Sequence, residues 1–135
     1  MPFVPTSEAL NQPVLSLADV EQRLGPPPWR RALVGSDSLR VVFYHLTPGE
    51  GPHPLHLHPR ADEVMVVLRG VGAFTFADGR EERVGPGGVV FCPRGQRHAL
   101  HIPGPEPLVF LAIVGPNEDA PDEAIEDAED AAEIG

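Results

Sequence analysis

An all-β sandwich or barrel is the fold class that this 135-residue chain predicts, and three features predict it. β-Branched and aromatic residues gather in short runs, separated by turn residues at short intervals, as in sandwiches and barrels. Gly 14 and Pro 17 are too many for a helical protein and suit frequent turns. Asp78-Gly79, set between two strand-like runs, is a strong hairpin signal. A chain of this length can enclose one real core but not two.

Residues 1–14 read as an arm without periodicity. Ser16 is placed to cap a short helix, Leu17 to Leu24, with Asp19 at its third position and Gly25-Pro26-Pro27-Pro28 to stop it. From Trp29 the pattern becomes that of strands. Leu39 to Thr47 is β-branched and aromatic, bounded by Ser-Asp-Ser and Pro-Gly. Val64 to Leu68 is apolar on both faces, as for a central strand covered on two sides. Ala73 to Ala77 and Arg80 to Val84 flank the hairpin turn, read as a two-residue loop. Val89 to Phe91, His98 to Ile102 and Leu108 to Val114 complete the set. This gives an N-terminal arm over 1–28, a β-barrel over 29–116 and an acidic tail over 117–135. In the tail, Ala124, Ala128 and Ala131 would make one face of a helix, but like charges oppose it, so helix and coil stay open.

Every basic residue is an arginine, ten in all, which excludes a Schiff-base lysine and a P-loop lysine. The net charge of −10 is local: nine of the 20 acids lie from Asn117 onward, leaving 11 against ten arginines. No basic patch points to nucleic acid or to an anionic membrane. The apolar runs are far shorter than a membrane span. The start has no basic or apolar leader region, and Cys92 is the sole cysteine, so a cytoplasmic protein without a disulfide is expected.

Two blocks carry the chemistry. Gly51-Pro-His53-Pro-Leu-His56-Leu-His58-Pro-Arg-Ala-Asp-Glu63 runs on to Gly70; Gly87 leads to Pro93-Arg-Gly95-Gln-Arg-His98. On a strand, alternate side chains share a face, so His56 and His58 can share one ligand. Glu63 and His98 add a carboxylate and a third imidazole. Three nitrogens, one oxygen and no thiolate suit a divalent transition metal.

The blocks resemble the paired motifs of the cupin superfamily, small β-barrels of jelly-roll type (a double-stranded β-helix). His56, His58, Glu63 and Gly70 match the first motif, with Gly49 and Gly51 straddling its leading glycine. Gly87, Pro93, Gly95 and His98 match the second, whose final Asn is replaced by Ile102. The resemblance implies one divalent metal on His56, His58, Glu63 and His98, with iron, manganese or nickel favoured and zinc or copper as alternatives. It implies a small-molecule substrate or ligand, with oxygenation (a dioxygenase or other oxidoreductase) leading. Isomerisation of a sugar or keto acid is the second reaction, and a non-catalytic binding or sensing barrel is the rival. A homodimer formed through sheet edges and the N-terminal arm is expected.

Other residues are candidates for the pocket wall or for contacts behind the ligands. His53 either lines the site mouth or is an ordinary loop histidine. Tyr44 and His45 lie on opposite faces of one strand, so one of them points inward. Met65 is barrel packing or a wall of an apolar pocket. Arg94 and Arg97 flank the second block and could hold a carboxylate bidentately, against a default of surface arginine. His101 and Asp62 are read as facing away from the ligands, and Cys92 as a small buried hydrophobe.

Overall fold

The computed structural model describes residues 9–48 and 58–117, and the backbone of 53–56. Helix α1 (Leu17–Leu24) has the bounds expected from sequence, with Ser16 Oγ accepting from the Asp19 amide at 3.4 Å and Gly25 at φ +73° ending it. Among the described residues nine strands follow: β1 (Trp29–Gly35), β2 (Arg40–Leu46), β3 (His53–His56), β4 (Asp62–Arg69), β5 (Gly72–Phe76), β6 (Glu81–Val84), β7 (Val89–Cys92), β8 (His98–His101) and β9 (Leu108–Gly115). They form two antiparallel sheets, ordered β1-β2-β9-β4-β7 and β3-β8-β5-β6. The acidic tail from residue 118 onward and residues 1–8 lie outside the described residues.

The inner core draws on both sheets. Leu46, Met65, Val67, Val90, Leu108, Phe110 and Ala112 come from the five-stranded sheet; Phe74 and Leu100 come from the four-stranded one. Alternation explains the choice: along β4, Glu63, Met65 and Val67 are buried while Asp62, Val64 and Val66 are less so. A second cluster covers part of the outer face of the larger sheet. There Val20 of α1 packs with Trp29, Leu33, Phe43 and Val109, and Leu10, Leu15, Leu17 and Leu24 add to it. The arm therefore covers its own sheet, and this is why central strands read as apolar on both faces.

Two local features differ from the sequence reading. The β5–β6 hairpin has a three-residue loop, Ala77 to Gly79, rather than two: the Phe76 amide donates to the Arg80 carbonyl and the Gly79 amide to the Phe76 carbonyl, both at 2.9 Å. Gly79 takes φ +85°, the left-handed position such loops require. Strand β3 stops at His56, so His58 is outside it. Its carbonyl accepts from the Gly95 amide at 2.8 Å, a loop contact, and the following Pro59 restricts the backbone further.

Gly70, which ends the first block, shows why glycine is needed there. It has φ +80°, and a Cβ would lie 2.0 Å from the Pro107 carbonyl oxygen.

Candidate metal centre

Three of the four residues singled out as ligands meet inside the barrel. Glu63 enters from the start of β4, and its ladder partners are Cys92 on β7 and Val114 on β9. His98 enters from the start of β8, on the facing sheet, with Leu100 following on the same buried face. His58 comes from the β3–β4 connection, anchored by its carbonyl to Gly95. Their relative exposures are only 4%, 7% and 4% for His58, Glu63 and His98.

Both imidazoles aim Nε2 at the same carboxylate oxygen: His58 at 3.2 Å and His98 at 2.9 Å from Glu63 Oε1. The three donor atoms lie within 4.8 Å of one another. The rings are 6.0 Å apart, centroid to centroid, at 34°. Burial works against the Glu63 charge, but the contacts with His58 and His98 outweigh it, and its carboxyl is held well below the ordinary carboxylate range. Across the ladder, burial and then the Glu63 charge push the Cys92 thiol up to about 12. Cys92 therefore remains a neutral, buried thiol.

The donor set fits a divalent cation. His98 Nδ1 faces the Gln96 carbonyl oxygen at 3.4 Å while Nε2 faces the carboxylate, so both neighbours are acceptors. A neutral imidazole donates to only one of them. A proton on Nδ1 leaves the Nε2 lone pair for a metal, the usual arrangement of ligating histidines. With donor atoms all within 4.8 Å of one another, one ion could be held by His58, Glu63 and His98 together.

The other candidates fall in different places. The side chains of His53 and His56 lie outside the described residues; in the backbone ladder His56 stands opposite His98, and His53 opposite Leu100. Tyr44 is the member of its pair that packs with the inner core, its ring stacked on Phe110 at 4.6 Å. His45 lies edge-on to Trp29 at 5.3 Å, in a hollow shared with Glu21 and Arg69 of the helix-covered face. Burial there lowers its pKa, with Glu21 opposing and Arg69 adding to the effect. Met65, two residues beyond Glu63 on the same buried face, is part of the inner core. Arg94 is largely exposed and holds Asp62: its amide donates to Oδ1 at 2.9 Å and its guanidinium lies 3.5 Å from the same carboxylate. Two neighbours of the centre escaped the sequence reading as such. Phe76 stands opposite His98 in the β5–β8 ladder, and Cys92 opposite Glu63; only the strand register, not the motifs, reveals them.

Among the described residues, no helix is long and apolar enough to cross a membrane. No curated protein matches the chain. Solved structures do. An uncharacterized conserved protein with a double-stranded β-helix domain from Klebsiella pneumoniae is 23% identical, with TM-score 0.68, over 82% of this chain and 95% of that one. The DMSP lyase DddQ from Ruegeria pomeroyi is 28% identical, with TM-score 0.61, over 68% of this chain and 48% of that one. The polyketide cyclase RemF from Streptomyces resistomycificus is 28% identical, with TM-score 0.59, over 67% and 66%. The family description "Cupin domain" matches residues 42–114, more than half of the chain and the part that holds the buried triad. By its sequence and its double-sheet fold, this chain belongs to the cupin family.

Proposed function

We propose that the protein is a metal-dependent cupin that binds and activates a small organic molecule, with His56, His58, Glu63 and His98 as the ligands. The observation that carries this reading is the convergence of two buried imidazole Nε2 atoms on one buried carboxylate oxygen. His56 joins the set through its ladder position opposite His98. A bound divalent ion would supply Lewis acidity toward an oxygen-bearing group of the substrate. The chain's own part is to present neutral imidazoles, hold Glu63 ionised, and keep the inner space apolar with Met65, Phe110 and Ala112.

Iron, manganese or nickel suits this nitrogen–oxygen set best, with zinc or copper as alternatives. Two similar structures bear the names of a lyase and a cyclase, which supports a non-redox, bond-breaking or ring-closing reaction. The thiolate-free His–carboxylate set favours the second reading, oxygenation by a redox metal. Elemental analysis of protein purified without chelator, beside His58→Ala and His56→Ala, tests the centre. About one equivalent of a single metal, lost in both variants, is the expected result; unchanged metal in either removes that residue from the set. Dioxygen uptake by the iron-loaded protein with substrate separates the two readings.

A homodimer completes this reading, and its surface is strand β7. The other sheet edges have protection: β1 carries arginines and a bulge, β3 a proline and a register shift, β6 the run Glu81-Glu82-Arg83. β7, Val-Val-Phe-Cys, has none of these, and Val89 and Phe91 are 64% and 56% exposed. An uncharged antiparallel edge can pair with its own copy about a two-fold axis. The single buried thiol suits a reducing compartment, the cytoplasm.

A further inference from the structure

Between the end of β7 and the start of β8 the residues Pro93-Arg94-Gly95-Gln96 form a β-turn. The Gln96 amide donates to the Pro93 carbonyl at 3.2 Å, and Gly95 stands at φ +76°. A positive φ at the third residue is the type II arrangement, for which glycine is the usual choice. The turn follows from the pairing beside it. Cys92 is the ladder partner of Glu63, and the next residue, Pro93, has no amide hydrogen with which to continue that ladder.

Three backbone groups of this turn reach the triad or its immediate neighbour. The Gly95 amide donates to the His58 carbonyl at 2.8 Å. The Gln96 carbonyl oxygen faces His98 Nδ1 at 3.4 Å. The Arg94 amide donates to Asp62 Oδ1 at 2.9 Å. Adjacent side chains on a strand take opposite faces, so Glu63 points into the barrel while Asp62 points outward, to the turn. One four-residue turn is therefore in contact with His58, with His98 and with the residue that precedes Glu63.

Each contact has its own effect. His58 lies beyond β3, outside its ladder, and the Gly95 amide fixes its backbone. The Gln96 carbonyl favours a proton on His98 Nδ1, which directs the Nε2 lone pair inward. Asp62 acts on the turn itself: where the ladder stops, its carboxylate takes over as the acceptor that ties the chain to β4. The guanidinium of Arg94 adds little to this tie. It approaches no closer than 3.5 Å and is 61% exposed, where ion pairs are weak.

We infer that Asp62 is a positioning residue of the metal centre: its carboxylate holds the Pro93–Gln96 turn to β4, and through that turn it sets where His58 and His98 present their nitrogens to Glu63. The inference rests on the metal-dependent reading for its functional consequence, a site assembled before the ion arrives. A carboxylate so close would also attract a cation by charge alone. Asn separates the two effects, because its side-chain oxygen still accepts from the Arg94 amide but carries no charge.

The test titrates Co(II) into chelator-treated wild type, Asp62→Ala and Asp62→Asn, since its visible bands report ligand geometry as well as affinity. Asp62→Ala is expected to bind about tenfold or more weakly, with altered bands, and Asp62→Asn to restore the bands and an affinity within about threefold of wild type. In metal-free protein, amide hydrogen exchange isolates the turn. The Gly95 amide should exchange about tenfold faster in Asp62→Ala than in the other two proteins, while Val66 and Ala112 in the central strands keep their protection and show that the variant is folded. Wild-type affinity and bands in Asp62→Ala would overturn the assignment. So would an Asp62→Asn protein as weak as Asp62→Ala, which would make charge the cause. A wild type that takes up no Co(II) would sink the metal-dependent reading instead, and the Gly95 exchange rates would then decide the tether: equal rates in all three proteins overturn it.

Discussion

Glu63→Gln separates the two tasks of the buried carboxylate. The amide keeps the shape and one acceptor oxygen, so both imidazole N–H groups retain a partner in the metal-free protein. The contacts at 3.2 and 2.9 Å lose their charge assistance, costing about 1 kcal/mol each. Relief from burying a charge returns an amount of the same order. The metal-free variant should therefore melt within a few degrees of wild type. Metal changes the comparison. At a concentration one hundred times Kd, a ligand that binds only the native state stabilises by about 2.7 kcal/mol. Removing even a supporting partner of a metal site weakens binding about 10–100-fold, and losing the anionic ligand itself should do at least that. A 100-fold loss leaves about 0.4 kcal/mol at the same concentration. With about 3–4 °C per kcal/mol for a chain of this size, the metal-induced rise falls from about 9 °C to about 1.5 °C. Circular-dichroism melts with and without Mn(II) read both numbers. A Glu63→Gln protein that keeps the full rise would refute the ligand assignment, and a metal-free collapse would show that the carboxylate is structural.

Three further outcomes follow from the same structure. In metal-free protein the Glu63 carboxyl has its folded-state pKa depressed below 4.5, so its contribution to stability is present above that pH and is lost as the pH falls. Urea midpoints should drop on acidification below about pH 5 and drop less in Glu63→Gln; Asp62→Asn controls for the exposed Asp62, whose pKa the Arg94 amide and side chain also lower. With its thiol at about 12, Cys92 should resist a thiol reagent at pH 8 until the protein is unfolded, and rapid stoichiometric labelling of native protein would contradict its burial. Phe91→Glu should convert a dimer to a monomer by light scattering with little change in melting temperature, whereas a wild-type monomer at micromolar concentration would remove β7 as an interface.

Much of the fold was legible because each element carried its own local signal. Ser16 and Gly25 mark both ends of α1, and alternation along Glu63-Val64-Met65-Val66-Val67 marks the buried face of β4. The motif glycines are legible for the same reason, since Gly70, Gly87 and Gly95 occupy positive φ. The structure brings His58 together with Glu63 and His98, though not by the strand alternation first invoked for it. It sits beyond β3, held by a loop-to-loop hydrogen bond that no periodicity encodes. Tyr44 and His45 could be assigned to opposite faces, but which face is inner depends on α1 covering the other, a tertiary fact.

The placement of the triad also explains why stability and function are linked in this barrel. Glu63 belongs to the five-stranded sheet and His98 to the four-stranded one, while His58 sits on the connection that passes from one to the other. Whatever occupies the point between their donor atoms joins the two sheets directly, at one end of the largely apolar core between them. Glu63 is tied to its own sheet by Val114 and Cys92, and His98 to its sheet by Phe76 and the β3 backbone opposite it. A ligand variant therefore alters a cross-sheet link without removing a strand from either ladder. That separation is the physical reason why a melting increment can report on metal ligation here.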